Sequence, residues 1–116
     1  MKLRVALSLL LAAALPSEAQ PDEALARARR LLSRVPLVDG HNDLPWQIRE
    51  VAGGDLARYE LRKRRTEGDT DIPRLREGLV SGQFWSVWIP SGLEHPARTQ
   101  LEQIELTRRM IAAHAD

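Results

Sequence analysis

The chain has no cysteine, so no disulfide can staple it, whatever compartment it occupies. It also has no surplus of charge of either sign. Against 17 Lys and Arg stand 16 Asp and Glu, for a formal net charge of +1. Nucleic acid and anionic membranes are therefore not expected partners, because an electrostatic footprint for phosphate needs a dominant basic face. The one basic run, Arg62-Lys63-Arg64-Arg65, lies among Glu60, Glu67, Asp69 and Asp71 and reads as a solvated loop or helix face. Internal repeats, low-complexity segments and glycine-rich phosphate loops are absent too, which argues against solenoids and phosphate cradles.

Long apolar runs are missing with one exception at the start. Lys2 and Arg4 precede Val5 to Leu15, an apolar run of about eleven residues, and Ser17-Glu18-Ala19 offers small residues where a signal peptidase reads. Spanning a bilayer takes roughly 17 to 25 apolar residues, so this run is too short for an anchor. Residues 1–19 are expected to be a cleaved signal peptide and 20–116 the exported chain, secreted or periplasmic. Cleavage would remove two basic residues and one acidic one, leaving fifteen of each. About 97 residues then remain, enough for a modest core but marginal without help.

What is present is an alternation of helical and extended patterns. From Pro21 to Arg34, Leu25, Ala28, Leu32 and Val35 recur at helical spacing while Arg27, Arg29, Arg30 and Arg34 take other faces. Leu37 and Val38 after Pro36 suit a short buried strand. Pro45 permits a helix through about Val51, which Gly53-Gly54 stops. Asp55 to Glu67 is charged, with Leu56, Tyr59 and Leu61 its large apolar or aromatic residues, and reads as a partly helical, exposed excursion. Pro73 begins a turn or two of helix from Ile72 to Gly78.

Gln83-Phe84-Trp85-Ser86-Val87-Trp88-Ile89, bounded by Gly82 and Pro90, is the second strand, nearly apolar on both faces. Trp85 and Trp88 read as core before they read as ligand-stacking residues. After Pro96 a last helix carries Ala97, Leu101, Ile104 and Ile111 on one stripe, and Glu105 can pair with Arg109. The order strand, helices, strand, helix indicates an α/β protein with parallel strands. Two strands cannot bury two apolar faces and a (β/α)₈ barrel takes about 250 residues, so the expectation is the N-terminal portion of a larger domain.

The chemistry is concentrated in Leu37-Val38-Asp39-Gly40-His41-Asn42-Asp43-Leu44-Pro45-Trp46, where an apolar run ends in metal-capable side chains. His41 and Asp43 are two apart, so in extended backbone both face one side and Asn42 faces the other. An imidazole and a carboxylate side by side make half a site for Zn²⁺ or a similar ion, which takes such ligands at about 2.0 to 2.2 Å. A hydrogen-bonded pair or a helix cap is the competing reading of the same residues. Asp39, on the same strand face, is a candidate acceptor to fix the His41 tautomer or else a cap for the loop.

The run Val38-Asp39-Gly40-His41-Asn42-Asp43-Leu44-Pro45-Trp46, with Asp71-Ile72-Pro73-Arg74-Leu75-Arg76-Glu77-Gly78 and Gln83-Phe84-Trp85-Ser86-Val87-Trp88 following in order, resembles the renal (membrane) dipeptidase family of zinc peptidases. The resemblance covers most of residues 22 to 113 and about the first third of a family member. It implies a metal-dependent (β/α)₈ TIM-like barrel, of which this chain carries about the first two strands and their helices. It implies two Zn²⁺ per complete active site, with His41 and Asp43 binding one of them and a bridging Glu and two further His coming from later strands. The implied reaction is hydrolysis of a dipeptide substrate by a binuclear metal-activated hydroxide, and a homodimer of the full-length enzyme is compatible with it.

No other catalytic or cofactor-binding residue is assigned within the chain. His95 and His114 fall in no family ligand motif, and His95 beside Pro96 is expected in a solvated loop. Trp46 belongs to the matching block as pocket wall or as core. Family members often carry a His before the Thr of the Thr70-Asp71-Ile72-Pro73 block, whereas this chain has Asp69. Some animal members have a cysteine where Ser91 stands, so their disulfide is not available here. Localisation follows as secreted or periplasmic, with a cell-surface lipid anchor, signalled beyond this chain, as the alternative. By itself the chain is expected to be inactive. The runner-up function is a non-catalytic exported binding module or a truncated product of that family.

Overall fold

A computed structural model describes residues 23–115. The expected signal peptide, Pro21 and Asp22 of the expected first helix, and Asp116 lie outside the described residues. The described elements are α1 (Glu23–Leu32), β1 (Leu37–Asn42), α2 (Leu44–Ala52), α3 (Leu56–Tyr59), α4 (Ile72–Glu77), β2 (Val80–Trp85) and α5 (Pro96–Ala113). β1 and β2 pair in parallel, joined by a crossover through α2, α3 and α4. The architecture is mixed α/β, and no helix among the described residues is long and apolar enough to cross a membrane.

Local sequence explains the helix limits. Pro45 sits in the first turn of α2, where its missing N–H costs nothing, and Gly53 closes that helix at φ 63°, a left-handed position that suits glycine. Asp71 caps α4 by accepting the Arg74 backbone N–H at 2.8 Å. Asp55 caps α3 by accepting from Ala57 and Arg58.

The second strand lies three residues earlier than its aromatic run predicts. It starts at Val80, directly after Leu79 at φ 57°, and ends at Trp85. Beyond that point the chain turns away, with the Trp88 N–H donating to the Ser86 hydroxyl. Ser81 and Gly82 are therefore strand residues, and Gly82 does not bound the strand. Gly82 has a packing reason to be there: a Cβ at this position would lie 3.4 Å from Val38 Cγ2 on β1.

The core is formed by Leu44, Ile48 and Ala52 of α2, Tyr59, Leu61, and Leu106 and Met110 of α5, with Leu56, Ile72 and Trp85 packed against it. Tyr59 and Leu61 thus correct the reading of residues 55–67 as an exposed excursion. The charged stretch dips into the core through those two side chains, and the Arg65 guanidinium lies 3.9 Å from the Tyr59 ring centroid. Helix α5 also turns a different face inward from the one expected. Gln103, Leu106, Thr107 and Met110 are buried, while Leu101, Ile104 and Ile111 are exposed. Its i, i+4 ion pair among the described residues is Arg98 with Glu102, at 2.8 Å, and not Glu105 with Arg109.

Neither strand is the buried one that its composition suggests. Leu37, Val38 and Phe84 are exposed, Phe84 by 67%. Trp85 packs against the core as expected, but Trp88 is half exposed and meets Trp46 edge to face, with centroids 5.9 Å apart. No residue of α1 is buried, so its apolar stripe stays outside the core. A two-stranded parallel sheet covers too little surface to bury both of its faces.

Candidate metal centre

β1 delivers His41 near its C-terminal end, and Asp43 follows as the residue that precedes α2. Both fall on one side as the two-residue spacing predicts, and their side chains meet with His41 Nε2 3.1 Å from Asp43 Oδ1, although Asp43 itself has left the extended conformation. Two ligands of a single tetrahedral ion at about 2.0 to 2.2 Å would stand roughly 3.3 to 3.5 Å apart, so the pair needs only a small adjustment to share one. The side chains are 66% and 50% exposed, leaving the solvent side open to an ion and to further ligands. Among the described residues no group of three or more His, Cys, Asp and Glu converges in this way. The pair fits half a zinc site by donor chemistry and by spacing.

The competing cap reading fails for Asp43 and holds for its neighbour. The Asp43 side chain makes no capping hydrogen bond to α2. Asn42 does that work, its Oδ1 accepting the Leu44 N–H at 2.9 Å. The Asn42 side chain is engaged away from His41 and Asp43. Its amide donates to Thr70 Oγ1 at 3.1 Å and to Gln83 Oε1 at 3.4 Å.

The ladder is irregular at this point. Asp39 is opposite Gln83 and Asn42 is opposite Trp85, so three steps along β1 answer two along β2. The extra residue is a bulge at Gly40-His41, a device that re-aims a side chain at a sheet's end. Asp39 spans it, though not by holding the imidazole. Its Oδ1 accepts the His41 backbone N–H at 3.2 Å and its Oδ2 accepts Gln83 Nε2 at 2.9 Å. Of the two roles the sequence leaves open for Asp39, the structure selects the loop cap.

These contacts set the local electrostatics. Hydrogen bonds from the Ser86 hydroxyl, then from His41, hold the Asp43 carboxyl below the usual carboxylate range. Asp39 is held low in the same sense by the Gln83 amide and the His41 N–H. Both groups are thus carboxylates at neutral pH, and Asp43 carries the negative charge a divalent cation needs. Ser86 is itself fixed, because its backbone N–H donates to the Asn42 carbonyl at 2.9 Å.

A cavity of about 100 Å³ opens beside the pair, lined by Asn42, Asp43, Leu44, Gln47, Asp69 and Thr70. Asp69, the departure from the resembled motif, therefore faces the same recess as Asp43. Trp46 is not among its lining residues, and its ring packs against Trp88 and the Arg49 guanidinium instead. His95 precedes α5 beside Glu94, exposed as expected, and His114 bonds the Met110 carbonyl at the far end of that helix. Thr70, Gln83 and Ser86 were not singled out as site residues by the sequence. The signal that could have found them is their place at strand and helix ends, but which end meets which is a matter of register.

A family model described as membrane dipeptidase (peptidase family M19) matches residues 25–116. Among curated proteins, dipeptidase ataJ of Aspergillus terreus is 42% identical over 102 residues, covering 79% of this chain and 25% of that protein. Dipeptidase 3 of Mus musculus is 46% identical over 92 residues, covering 78% of this chain and 18% of the relative. Dipeptidase 3 of Rattus norvegicus is 45% identical over 92 residues, with 78% and 19% covered. The chain thus spans a quarter or less of the length of these relatives. Since the match runs unbroken through both strands and the His41–Asp43 pair, the chain belongs to the membrane dipeptidase family.

Proposed function

We propose that the chain is the N-terminal part of an exported zinc dipeptidase and that His41 and Asp43 are the first two ligands of a binuclear centre. The observation that carries this is the 3.1 Å approach of an imidazole nitrogen to an ionised carboxylate at the C-terminal end of a parallel strand. Family membership and the names of the relatives support a dipeptide as substrate. In a (β/α)₈ barrel that end of the sheet is where active sites sit, and β1 and β2 would be its first two strands. Residues 1–19 would be the signal peptide, placing the enzyme outside the cytoplasm as a secreted or periplasmic protein. A homodimer is part of this proposal only for the full-length enzyme.

Zinc bound there supplies Lewis acidity and a nucleophile at neutral pH. The contribution of this chain's own residues is to present one nitrogen and one hard oxygen, with the Ser86 hydroxyl hydrogen-bonded to the Asp43 carboxylate. Two ligands do not complete a site, and no third converges among the described residues. The 116-residue chain alone is therefore proposed to bind zinc weakly and not to hydrolyse peptides.

In the full-length enzyme, His41→Ala or Asp43→Ala is expected to lower zinc stoichiometry and to reduce cleavage of a simple dipeptide by at least about 100-fold. Retention of two zinc ions and full activity by the double variant would overturn the assignment. Export is tested separately by N-terminal sequencing of secreted material, where Gln20 or Pro21 is expected and an intact Met1 would refute the signal.

A further inference from the structure

We propose that Gln83 and Asn42 form a clamp across the β1 bulge and are the positioning residues that aim His41 and Asp43 at a shared metal ion. The inference rests on the metal reading above and concerns how the pair is held, not what it binds.

Regular strand pairing fixes side-chain direction through the backbone ladder, but here the ladder breaks between Asp39 and Asn42. Gly40, inside the break, has no neighbour within 4 Å of where a Cβ would be, so packing does not hold the bulge either. His41 and Asp43 are both half exposed or more, and apart from each other only the Ser86 hydroxyl, on Asp43, steadies their side chains. Something else must define the directions of these two residues.

The carboxamide of Gln83 reaches both ends of the break. Its Nε2 donates to Asp39 Oδ2 at 2.9 Å and to the Asp39 carbonyl at 3.3 Å, while its Oε1 accepts from Asn42 Nδ2 at 3.4 Å. Asp39 in turn holds the His41 N–H, and Asn42 holds the Leu44 N–H. One side chain of β2 is thereby linked, through one intermediary each, to the backbone on either side of the pair. Thr70 supplies a second anchor for Asn42 at 3.1 Å. Neither Gln83 nor Asn42 needs to touch the ion, because His41 lies between the two clamped points and Asp43 directly follows the second.

The donor and acceptor roles in this clamp can be inverted, which gives the test. Gln83→Glu keeps the acceptor toward Asn42 but sets a carboxylate against Asp39. Adding Asp39→Asn restores the side-chain donor–acceptor pair with its direction reversed and leaves the His41 N–H an acceptor, with only the longer contact to the residue-39 carbonyl still lost. The full-length enzyme is loaded with Co²⁺ as the probe, and metal affinity, the visible absorption of the bound ion and the thermal midpoint are read for each variant. Gln83→Glu and Asn42→Ala are expected to weaken Co²⁺ binding about 10- to 100-fold and to alter the absorption bands. The double variant Asp39→Asn/Gln83→Glu should recover most of both.

Thr70→Val, which removes one anchor and leaves the clamp itself, should show a smaller effect of the same kind and serves if Asn42→Ala does not fold. Unchanged affinity and bands in Gln83→Glu, or no recovery in the double variant, would overturn the clamp whatever happens to the thermal midpoint. His41→Ala is measured in parallel. If it weakens Co²⁺ binding and Gln83→Glu does not, only the clamp fails; if it leaves binding unchanged, the metal reading fails and the clamp with it.

Discussion

At the scale of single residues, Asp71 is a buried anchor away from the His41–Asp43 pair. It is fully buried, accepts the backbone N–H groups of Arg65 and Arg74, and pairs with Arg74 Nε at 2.6 Å. Burial pushes its carboxyl up, but the two N–H groups and the guanidinium outweigh that, so its folded-state pKa lies below the ordinary value. A depressed pKa means stability that is fully present above the unfolded value, near 3.9, and is lost as pH falls through the folded one. Asp71→Asn is expected to cost about 3 kcal/mol at neutral pH and to flatten the fall of thermal midpoint as pH drops below about 4. An unchanged acid limb would show that other carboxylates carry it. The approach of His41 to Asp43 was legible in the sequence, because two residues so close in the chain need only local geometry. The sequence did not reveal Asn42's partners, which lie 28 and 41 residues away, since no local pattern encodes which loop end meets which strand.

Among the elements, α5 is the one whose orientation the pattern misassigned. Apolar residues occupy two sides of this helix, Leu106 and Met110 on one and Leu101, Ile104 and Ile111 on the other, so periodicity alone could not choose. Packing against α2 chose, with Arg49 tied to Glu102 at 2.7 Å and Leu106 lying under Gly54. That choice buries Gln103 with neither amide atom hydrogen-bonded among the described residues. An orphaned buried amide is costly, whereas Met fills a similar volume without a polar group. Gln103→Met should therefore stabilise the full-length protein by about 1 to 2 kcal/mol in urea unfolding. A lower midpoint would show that the amide has a partner. The strand boundaries were misplaced for a related reason. Aromatic and β-branched composition marked residues 83–89, but the ladder with β1 selected Val80–Trp85, including a glycine that lets Val38 come close.

For the molecule as a whole, the α/β order and the parallel pairing followed from alternating patterns, and the helix limits followed from Pro45, Gly53 and the Asp caps. Burial did not follow, because it depends on what covers Leu37, Val38, Phe84, Leu101 and Ile104, all exposed here. Expressed alone, residues 20–116 are expected to melt without a cooperative transition and to aggregate through the uncovered strands. A sharp two-state transition of the monomer would refute this. The parallel ladder also orders events in time. Asp39 and Gln83 are 44 residues apart, and a ribosome adding about 5 to 20 residues per second needs roughly 2 to 9 s to cover that interval. During those seconds His41 and Asp43 have been synthesised while their clamp has not. If the pair takes a metal as proposed, early capture by the nascent chain would meet an unaimed pair, and loading is expected only after β2 has docked.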